Sequence, residues 1–282
     1  MPRGAAAGAA AQPRAIGAVR LGVAAEGGAT RLARLRHEGS AKGFFPGTPP
    51  PPGAPLEAVL LNTAGGITGG DRFAVTAEAG PGAWLSLTTQ AAERAYRAQP
   101  GETGRLEVAL AAGPGARIDW LPQETILFDG SSLARRLVVD LGAGASLLAV
   151  EPLVFGRVAM GERLSRIGFS DRWQIRREGR LVHAEALRLE GDAMAALAGP
   201  AAAAGARAAA GLVWCAADAE CHLAPLRALL PAGPEATGGV SLVRPGVLAA
   251  RLVAADGHAL RQALMPMIAA LRPAPLPKLW RL

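Results

Sequence analysis

The chain has 282 residues, a formal net charge of +7 and only 4% aromatic residues, while glycine and proline fill 36 and 22 positions. This composition predicts many short strands and turns rather than a helical bundle. It also argues against two classes of protein, because the chain has neither a Lys/Arg run interleaved with aromatics, as in nucleic-acid-binding faces, nor an uncharged apolar run of about 18 residues that would form a membrane helix.

The start of the chain predicts a tail followed by a hairpin. Residues 1–14 are rich in Ala, Gly and Pro and predict a disordered tail, and residues 15–282 are expected to form a single β-rich domain. Apolar residues alternate over 16–23 and again over 30–36, which predicts a hairpin turned at E-G-G-A. Two cysteines are too few for a disulfide framework and no signal peptide is visible, so we expect a cytoplasmic protein.

Residues 60–71, L-L-N-T-A-G-G-I-T-G-G-D, contain four glycines within six positions, directly before an aspartate. In no other segment is the backbone as free to adopt unusual conformations next to a charged residue. Gly65, Gly66, Gly69 and Gly70 precede Asp71, so the loop is able to present several backbone N–H groups and one carboxylate to a closely packed ligand, ion or partner. The alternative is a glycine-rich hairpin that Asp71 caps. The spacing fits neither a P-loop nor G-x-G-x-x-G, so a nucleotide site is not expected.

An internal repeat is the strongest architectural signal. Gly-x-Gly-Ala tetrads occupy 80–83, 113–116 and 142–145, with spacings of 33 and 29 residues. Alternating apolar residues precede and follow each tetrad, which predicts three similar hairpins. Their repetition predicts a mainly β protein, an elongated and β-solenoid-like stack of sheets. Three unrelated hairpins of a sandwich are the alternative.

The repeat places polar residues at similar positions after each tetrad. Gln90, Gln123, Glu124 and Glu151 follow the final Ala by six to eight residues, so stacking would align them as a polar ladder or as the lining of a passage. Buried carboxylates must be paired, hydrated or bound to a cation. Structural ion pairs are the simpler interpretation, and the possible partners are Arg94, Arg135, Arg136 and Arg157.

The second half predicts one more hairpin and two α-helices. Residues 173–189 alternate around a turn at R-E-G-R, with Glu185 on the return strand. Leucine and other apolar residues recur on one face over 219–230 and 256–271, which predicts two amphipathic helices separated by a strand at 247–253.

Two chemical interpretations are open but weak. Cys215, Cys221 and His222 are soft ligands, yet the five-residue gap differs from zinc-knuckle spacing, so no stable metal site is expected. No G-x-S-x-G or H-E-x-x-H motif orders a catalytic set, and we predict no enzymatic activity. The enzymatic alternative is a carbohydrate-active hydrolase or lyase on a β-solenoid that uses paired carboxylates such as Glu124 and Glu151, although aromatic sugar platforms are scarce.

Six motifs, in this order, resemble the urease accessory protein UreD family. They are L-N-T-A-G-G-I-T-G-G-D (61–71), L-T-T-Q-A-A-E-R-A-Y-R (87–97), W-L-P-Q-E-T-I-L-F (120–128), E-P-L-V-F-G-R-V-A-M-G-E (151–162), D-R-W (171–173) and L-P-K-L-W-R (276–281). The chain departs from the family pattern at 41–47, where A-K-G-F-F-P-G replaces R-P-F-Y-P-E, and at Arg94, where the motif has Lys.

The resemblance implies a non-enzymatic scaffold that, with UreF and UreG, docks on apo-urease and helps to deliver nickel. It also implies an elongated, largely β stack with two helices, and Ni²⁺ in transit rather than a stably bound cofactor. The implied nickel passage has acidic residues at Asp71, Glu151 and Glu185, which Glu124 would join. Gln123, Arg94 and Arg157 would then balance charge or be structural, and the four glycines at 65, 66, 69 and 70 would form the motif's backbone.

Overall fold

Two β-sheets dominate the computed structural model, which describes residues 13–47, 50–157 and 160–281. The seven-stranded sheet contains, in spatial order, β14 (Arg180–Gly191), β13 (Ile167–Arg177), β11 (Ser132–Leu141), β8 (Gly104–Ala112), β5 (Arg72–Ala79), β1 (Ile16–Glu26) and β2 (Ala29–Gly39). The ten-stranded sheet runs through β16 (Ala236–Arg244), β17 (Val247–Ala254), β15 (Ala208–Cys215), β12 (Ser146–Phe155), β9 (Arg117–Leu121), β6 (Trp84–Thr89), β4 (Leu56–Asn62) and β3 (Ala41–Phe44), with β10 (Thr125–Leu127) and β7 (Glu93–Ala95) attached beside β12. The predicted tail falls almost entirely on residues 1–12, outside the described residues.

The stacked, β-solenoid-like architecture is confirmed, but the tetrads do not form hairpins. Each tetrad leads from the seven-stranded sheet to the ten-stranded sheet, so the two strands that it joins never pair with each other. Instead β5, β8 and β11 pair with one another in parallel, as do β6, β9 and β12. Each repeat is therefore one coil of the chain around a shared core, and the prediction of hairpins at the tetrads is wrong.

The tetrads adopt nearly the same turn at each repeat. Gly82, Gly115 and Gly144 have φ values of 67°, 64° and 66°, which L-residues rarely adopt. In each tetrad the last N–H donates to the first carbonyl over 3.0 to 3.1 Å. Successive turns are also hydrogen-bonded, as where Gly82 N donates to Pro114 O at 3.0 Å and Gly115 N donates to Ala143 O at 2.9 Å. Because the turns match, the strands that follow them stay in register.

True hairpins lie outside the repeats. The opening hairpin is confirmed as β1 and β2, and the hairpin over 173–189 is confirmed as β13 and β14, with Glu178 and Gly179 at its turn in positive φ. Strands β15 and β16 were not predicted. The N-terminal half of β15 is an alanine run in which Ala208 and Ala210 are buried, and such a run lacks the polar and apolar alternation that marks a strand.

Both predicted helices are present, and a third helix is added. α3 (Gly257–Ala270) begins after Asp256, whose side chain accepts from Ala259 N at 2.8 Å. The first predicted helix is shorter than expected, with a 3₁₀ turn at Ala219–His222 before α2 (Leu223–Ala228). α1 (Ala193–Leu197) is a single short helix after β14. α2 and α3 pack on the outer face of the ten-stranded sheet around a second apolar cluster. Among the described helices, none is long and apolar enough to cross a membrane.

The glycine-rich loop between β4 and β5 packs closely against the segment that follows β6. A Cβ atom on Gly66 would lie 2.2 Å from Tyr96 Cε2 and 2.7 Å from the carbonyl oxygen of Arg94. A Cβ atom on Gly69 would lie 2.7 Å from Glu102 Cβ. These two glycines are therefore required by close approach of the chain, in addition to any role in binding.

We expect Gly66→Ala to lower the free energy of unfolding by about 1–3 kcal/mol, because the added methyl overpacks the loop. Urea unfolding would measure the change. Gly233→Ala is the control, since its Cβ would meet nothing within 4 Å, and it should stay within about 0.5 kcal/mol of the wild type. Equal stability of Gly66→Ala and the wild type would contradict the close packing described above.

Candidate functional site

A cavity of about 170 Å³ lies between the two sheets. It extends from the glycine-rich loop at Gly65 into the interior of the stack, and it has room for several water molecules. Although much of its wall is apolar, polar side chains reach it from several repeats: Asn62, Glu93, Gln123, Thr125, Arg135 and Glu151. This polar lining inside an apolar core is the feature of the fold that most needs a functional explanation.

The inner end of the cavity holds a buried ion-pair cluster. Arg135 Nη2 lies 2.7 Å from Glu151 Oε2 and 2.5 Å from Asp171 Oδ2, and Nη1 donates to Thr125 Oγ1 at 2.9 Å. The arginine, glutamate and aspartate side chains are only 5%, 6% and 9% exposed. Arg135 and Asp171 are in register on β11 and β13, and Glu151 faces them from β12 of the other sheet. The Arg135–Glu151 ion pair therefore joins the two sheets, and the Arg135–Asp171 ion pair joins neighbouring strands of one sheet.

Two indole groups complete the cluster. Trp120 Nε1 donates to Glu151 Oε1 at 2.8 Å, and Trp173 Nε1 donates to Asp171 Oδ2 at 3.3 Å. Three buried polar atoms of the cluster, Asp171 Oδ1, Arg135 Nε and Glu151 Oε2, make no hydrogen bond among the described residues, although Glu151 Oε2 has the ion-pair contact with Arg135. These hydrogen bonds hold the charged side chains of the cluster in place, but Asp171 Oδ1 accepts no hydrogen bond inside the protein.

The cluster carries two carboxylates and one guanidinium, and burial together with these charges sets its protonation. Burial raises the pKa of Glu151 to about 7, with further increases from the charges of Asp171 and Glu185 and decreases from Arg135 and the Trp120 hydrogen bond. Burial lowers the pKa of Arg135, but the two carboxylates outweigh burial and raise it overall. The guanidinium therefore stays charged, while Glu151 takes up a proton near neutral pH.

Glu93 is a second acidic group on the cavity wall, nearer the loop. Burial raises its pKa, although hydrogen bonds from the Asn62 amide and the Arg94 backbone N–H act in the opposite direction. The charge of Asp71 raises the pKa further. Glu93 was not predicted as a site residue, because it belongs to the very short strand β7, which has no alternating pattern of its own.

The Asp71 carboxylate accepts hydrogen bonds from backbone N–H groups and does not line the cavity. Its Oδ1 accepts from Ala15 N and its Oδ2 accepts from Thr68 N, both at 2.8 Å, and the residue is buried. The carboxylate thus ties the glycine-rich loop to the start of β1. This geometry agrees with the capping alternative, and a part for Asp71 in a nickel passage stays a prediction.

Glu185 lies beyond the inner end of the cavity. Arg251 Nη2 is 3.0 Å from Glu185 Oε1, and His183 Nε2 is 3.7 Å from Oε2. The close contact with His183 is the main reason that the pKa of Glu185 is lowered, and the charge of Arg251 lowers it further. Gly211, in register with Glu151, lies beside this side chain, and a Cβ there would make an ordinary van der Waals contact with Glu185 Oε1 at 3.7 Å.

Gln123 and Glu124 connect the repeats to the C-terminal helix. Arg261 of α3 donates through Nη1 to Gln123 Oε1 at 2.6 Å and lies 3.4 Å from Glu124 Oε1. The same guanidinium donates to the carbonyl of Leu279 at 2.6 Å. Glu124 is therefore paired outside the cavity, whereas Gln123 contributes to the cavity wall.

The two arginines predicted to balance charge differ in position. Arg94 is exposed and lies at the cavity near Glu93. Arg157 makes two 3.0 Å contacts with Glu162 and lies 4.3 Å from the centre of the Phe128 ring. Arg157 therefore balances Glu162, and the charge-balancing role falls to Arg135, which sequence analysis gave only as one possible partner of the acids.

The structure gathers Glu151, Gln123, Arg94 and Gly65 around the cavity and places four other candidates outside its lining: Asp71, Glu124, Glu185 and Arg157. Asp171 was missed as a site residue. A signal for it exists in the sequence, because Asp171 and Arg135 each occupy an inward position between apolar neighbours on an alternating strand. A charge in such a position marks a buried polar site.

A family model described as UreD urease accessory protein matches residues 15–281. The chain belongs to the UreD family. The urease accessory protein UreD of Ruegeria sp. (strain TM1040) is 52% identical over 259 residues, which cover 90% of this chain and 86% of the relative. That of Roseobacter denitrificans is 46% identical over 271 residues, 96% of each chain. That of Rhizobium rhizogenes is 49% identical over 270 residues, 95% of this chain and 96% of the relative.

The cysteines of this UreD-family chain are not arranged as a metal centre. Cys215 is buried, and burial raises the pKa of its thiol to about 12, whereas Cys221 is exposed. His222 Nε2 contacts Asp218 Oδ2 at 3.1 Å. Within the described ranges, no group of three His, Cys, Asp or Glu side chains is placed to hold a metal ion. Any metal bound by the described carboxylates would therefore use few protein ligands and keep waters.

We expect Glu151→Gln to remove a pH dependence of stability. The native carboxyl binds its proton more tightly than the unfolded one, whose pKa is about 4.5, so its contribution is full below pH 4.5 and is lost as the pH rises to about 7. Relative to Glu151→Gln, the wild type should lose up to about 3 kcal/mol of unfolding free energy across that window.

Urea unfolding at several pH values would measure this difference. Glu26→Gln, at an exposed site on β1, is the control for the loss of one carboxylate and should run parallel to the wild type. If the wild type and Glu151→Gln show the same pH dependence, Glu151 does not titrate in the native state as described.

Proposed function

We propose that this chain is a non-enzymatic urease accessory scaffold, which assembles with UreF and UreG on apo-urease and assists nickel insertion into the urease active site. Membership of the UreD family supports the accessory role, since the relatives carry that name. The observation that carries the proposal is the internal cavity with buried carboxylates, because a scaffold without cargo has no evident use for a polar interior.

The same proposal includes a route for Ni²⁺ through the stack. Asp71 acts electrostatically on Glu93 at one side of the cavity, and Asp171 and Glu185 act on Glu151 at the other. Acidic groups therefore follow one another across the interior. Carboxylates and waters hold Ni²⁺ more loosely than a Cys and His cage would, which suits a cation in transit.

Arg135 supplies the means to keep that binding brief. Without a cation, its guanidinium neutralises one of the two negative charges that Glu151 and Asp171 carry when both are ionised. A cation at Glu151 would displace either this guanidinium or the proton that Glu151 carries near pH 7, so binding is opposed by a built-in competitor. Loss of the cation restores the ion pairs, which favours release.

The geometry gives no support to the carbohydrate-enzyme alternative. Glu124 pairs with Arg261 outside the cavity, whereas Glu151 is buried against Arg135. Trp120 and Trp173 use their indole N–H groups on carboxylates and are themselves buried, so they offer no open ring face to a sugar.

Co-expression with UreF, UreG and the urease subunits would test the proposal. We expect Glu151→Gln and Glu93→Gln to leave the co-purifying complexes intact but to lower the nickel content and activity of the urease by about tenfold, as when a group that tunes a metal site is lost. Asp71→Ala and Glu185→Ala extend the series.

Glu26→Gln is again the matched control and should load nickel normally. Intact complexes with undiminished nickel in all four cavity and flanking variants would refute the passage. Failure of the wild-type chain to co-purify with UreF or apo-urease would refute the scaffold role itself.

A further inference from the structure

The outer face of the seven-stranded sheet carries a cluster of arginines. Arg72, Arg105, Arg136 and Arg172 lie on four neighbouring parallel strands, β5, β8, β11 and β13, and all four are exposed. We call these four residues the arginine face. The helices α2 and α3 pack on the other sheet, and the short helix α1 contacts the edge strand β14 of this one.

The arginine face has no internal neutralisation. Among the described residues, none of its four guanidinium groups makes a hydrogen bond or comes within 4.0 Å of a carboxylate. Glu107 is in register with Arg136 yet stays beyond that distance. Elsewhere on the sheet several exposed arginines have carboxylate partners, as where Arg34 pairs with Glu78 at 2.5 Å, although Arg31 and Arg180 have none among the described residues.

The register of the strands makes this arrangement unfavourable for the isolated chain. Arg72 is directly opposite Arg105, and Arg136 is directly opposite Arg172. Like charges in opposite positions of neighbouring strands destabilise a sheet. Because the chain gains nothing from these pairs by itself, a bound partner that supplies negative charge is the physical explanation that fits.

The surroundings of the arginines indicate the shape of that partner. Three of the four other outward positions in the same two rows hold small side chains, Ala74, Ala134 and Ser170, and the fourth holds Glu107, so the surface is nearly flat. The aromatic residues of these strands are buried between the sheets: Phe73, Phe169 and Trp173. The face therefore lacks the stacking platforms of single-strand nucleic-acid binders and aromatic anchors for a membrane.

We propose that the arginine face docks on a flat, acidic protein surface in the accessory assembly. This inference rests on the proposed function, because apo-urease and UreF are the probes for such a surface. Opposite charges would accelerate association and fix orientation more than they would raise affinity. The guanidinium groups, set on a rigid sheet, are suited to paired hydrogen bonds with surface carboxylates.

The test compares two double variants that remove the same charge. Arg136→Gln with Arg172→Gln alters the arginine face, and Arg31→Gln with Arg180→Gln alters exposed arginines on β2 and at the β13–β14 turn. Association of each purified chain with apo-urease and with UreF would be followed from about 0.01 M to about 0.15 M salt, as the Debye length falls from about 30 to about 8 Å.

We expect the face variant to associate about tenfold more slowly than the wild type with at least one probe at low salt, with a weaker salt dependence. The control variant should follow the wild type. The face variant should also unfold at the same or a higher temperature, because it removes a like-charge pair, and this readout separates a docking role from a structural one.

Equal rates and salt dependence for both variants would overturn the inference while leaving the proposed function intact. A defect with a duplex DNA probe alone would overturn it in favour of nucleic-acid binding. Absence of binding by the wild type to either probe would overturn the inference and the proposed function together.

Discussion

Parallel pairing between equivalent strands of successive repeats is the constraint on which the rest of this structure depends. Parallel strands cannot be joined by a two-residue turn, so each repeat must leave one sheet, cross the core and return before the next strand is laid down. The tetrads make the crossing in the same way each time, because the glycine at their third position is held at positive φ. The result is an interior lined by matching positions of consecutive repeats.

That interior explains why charged residues are tolerated at its centre. Arg135 and Asp171 occupy inward positions of adjacent strands, and Glu151 meets them from the facing sheet. Ion pairs of this kind are costly to bury, and well-packed apolar residues often stabilise a core as well. Three charged groups are nevertheless buried there, with a carboxylate oxygen left unpartnered, so stability alone does not account for the cluster.

The two outer faces of the stack differ in what covers them. The ten-stranded sheet buries its apolar outer surface under α2, α3 and the C-terminal segment, where Trp280 Nε1 donates to Leu121 O at 2.8 Å. Around its four arginines the seven-stranded sheet has mainly small and charged outward residues, although Ile16, Leu32, Leu35 and Leu181 are exposed on its outer strands. Its unpaired arginines thus remain available on a rigid surface, and the polar interior and the basic exterior are built from alternate residues of the same strands.

The sequence by itself determined the strand-rich composition, the period of the repeat, both larger helices and the family. Each of these is a local or periodic property: Gly-x-Gly-Ala requires a turn wherever it occurs, and leucines on one face of 256–271 require a helix that packs on something. Glu151 and Gln123 were also found this way, because their distance from the tetrads follows the period of the repeat.

Only the tertiary structure decided which strands pair and which charges meet. A tetrad between two alternating runs is compatible with a hairpin or with a crossing between sheets, and the choice depends on hydrogen bonds to residues about 30 positions away. The same holds for the site. Arg135 contacts Asp171 and Glu151, which are 36 and 16 positions away in the sequence. The Asp71 carboxylate accepts a hydrogen bond from the backbone of Ala15. The roles of these residues therefore follow from long-range strand register, which no local sequence pattern encodes.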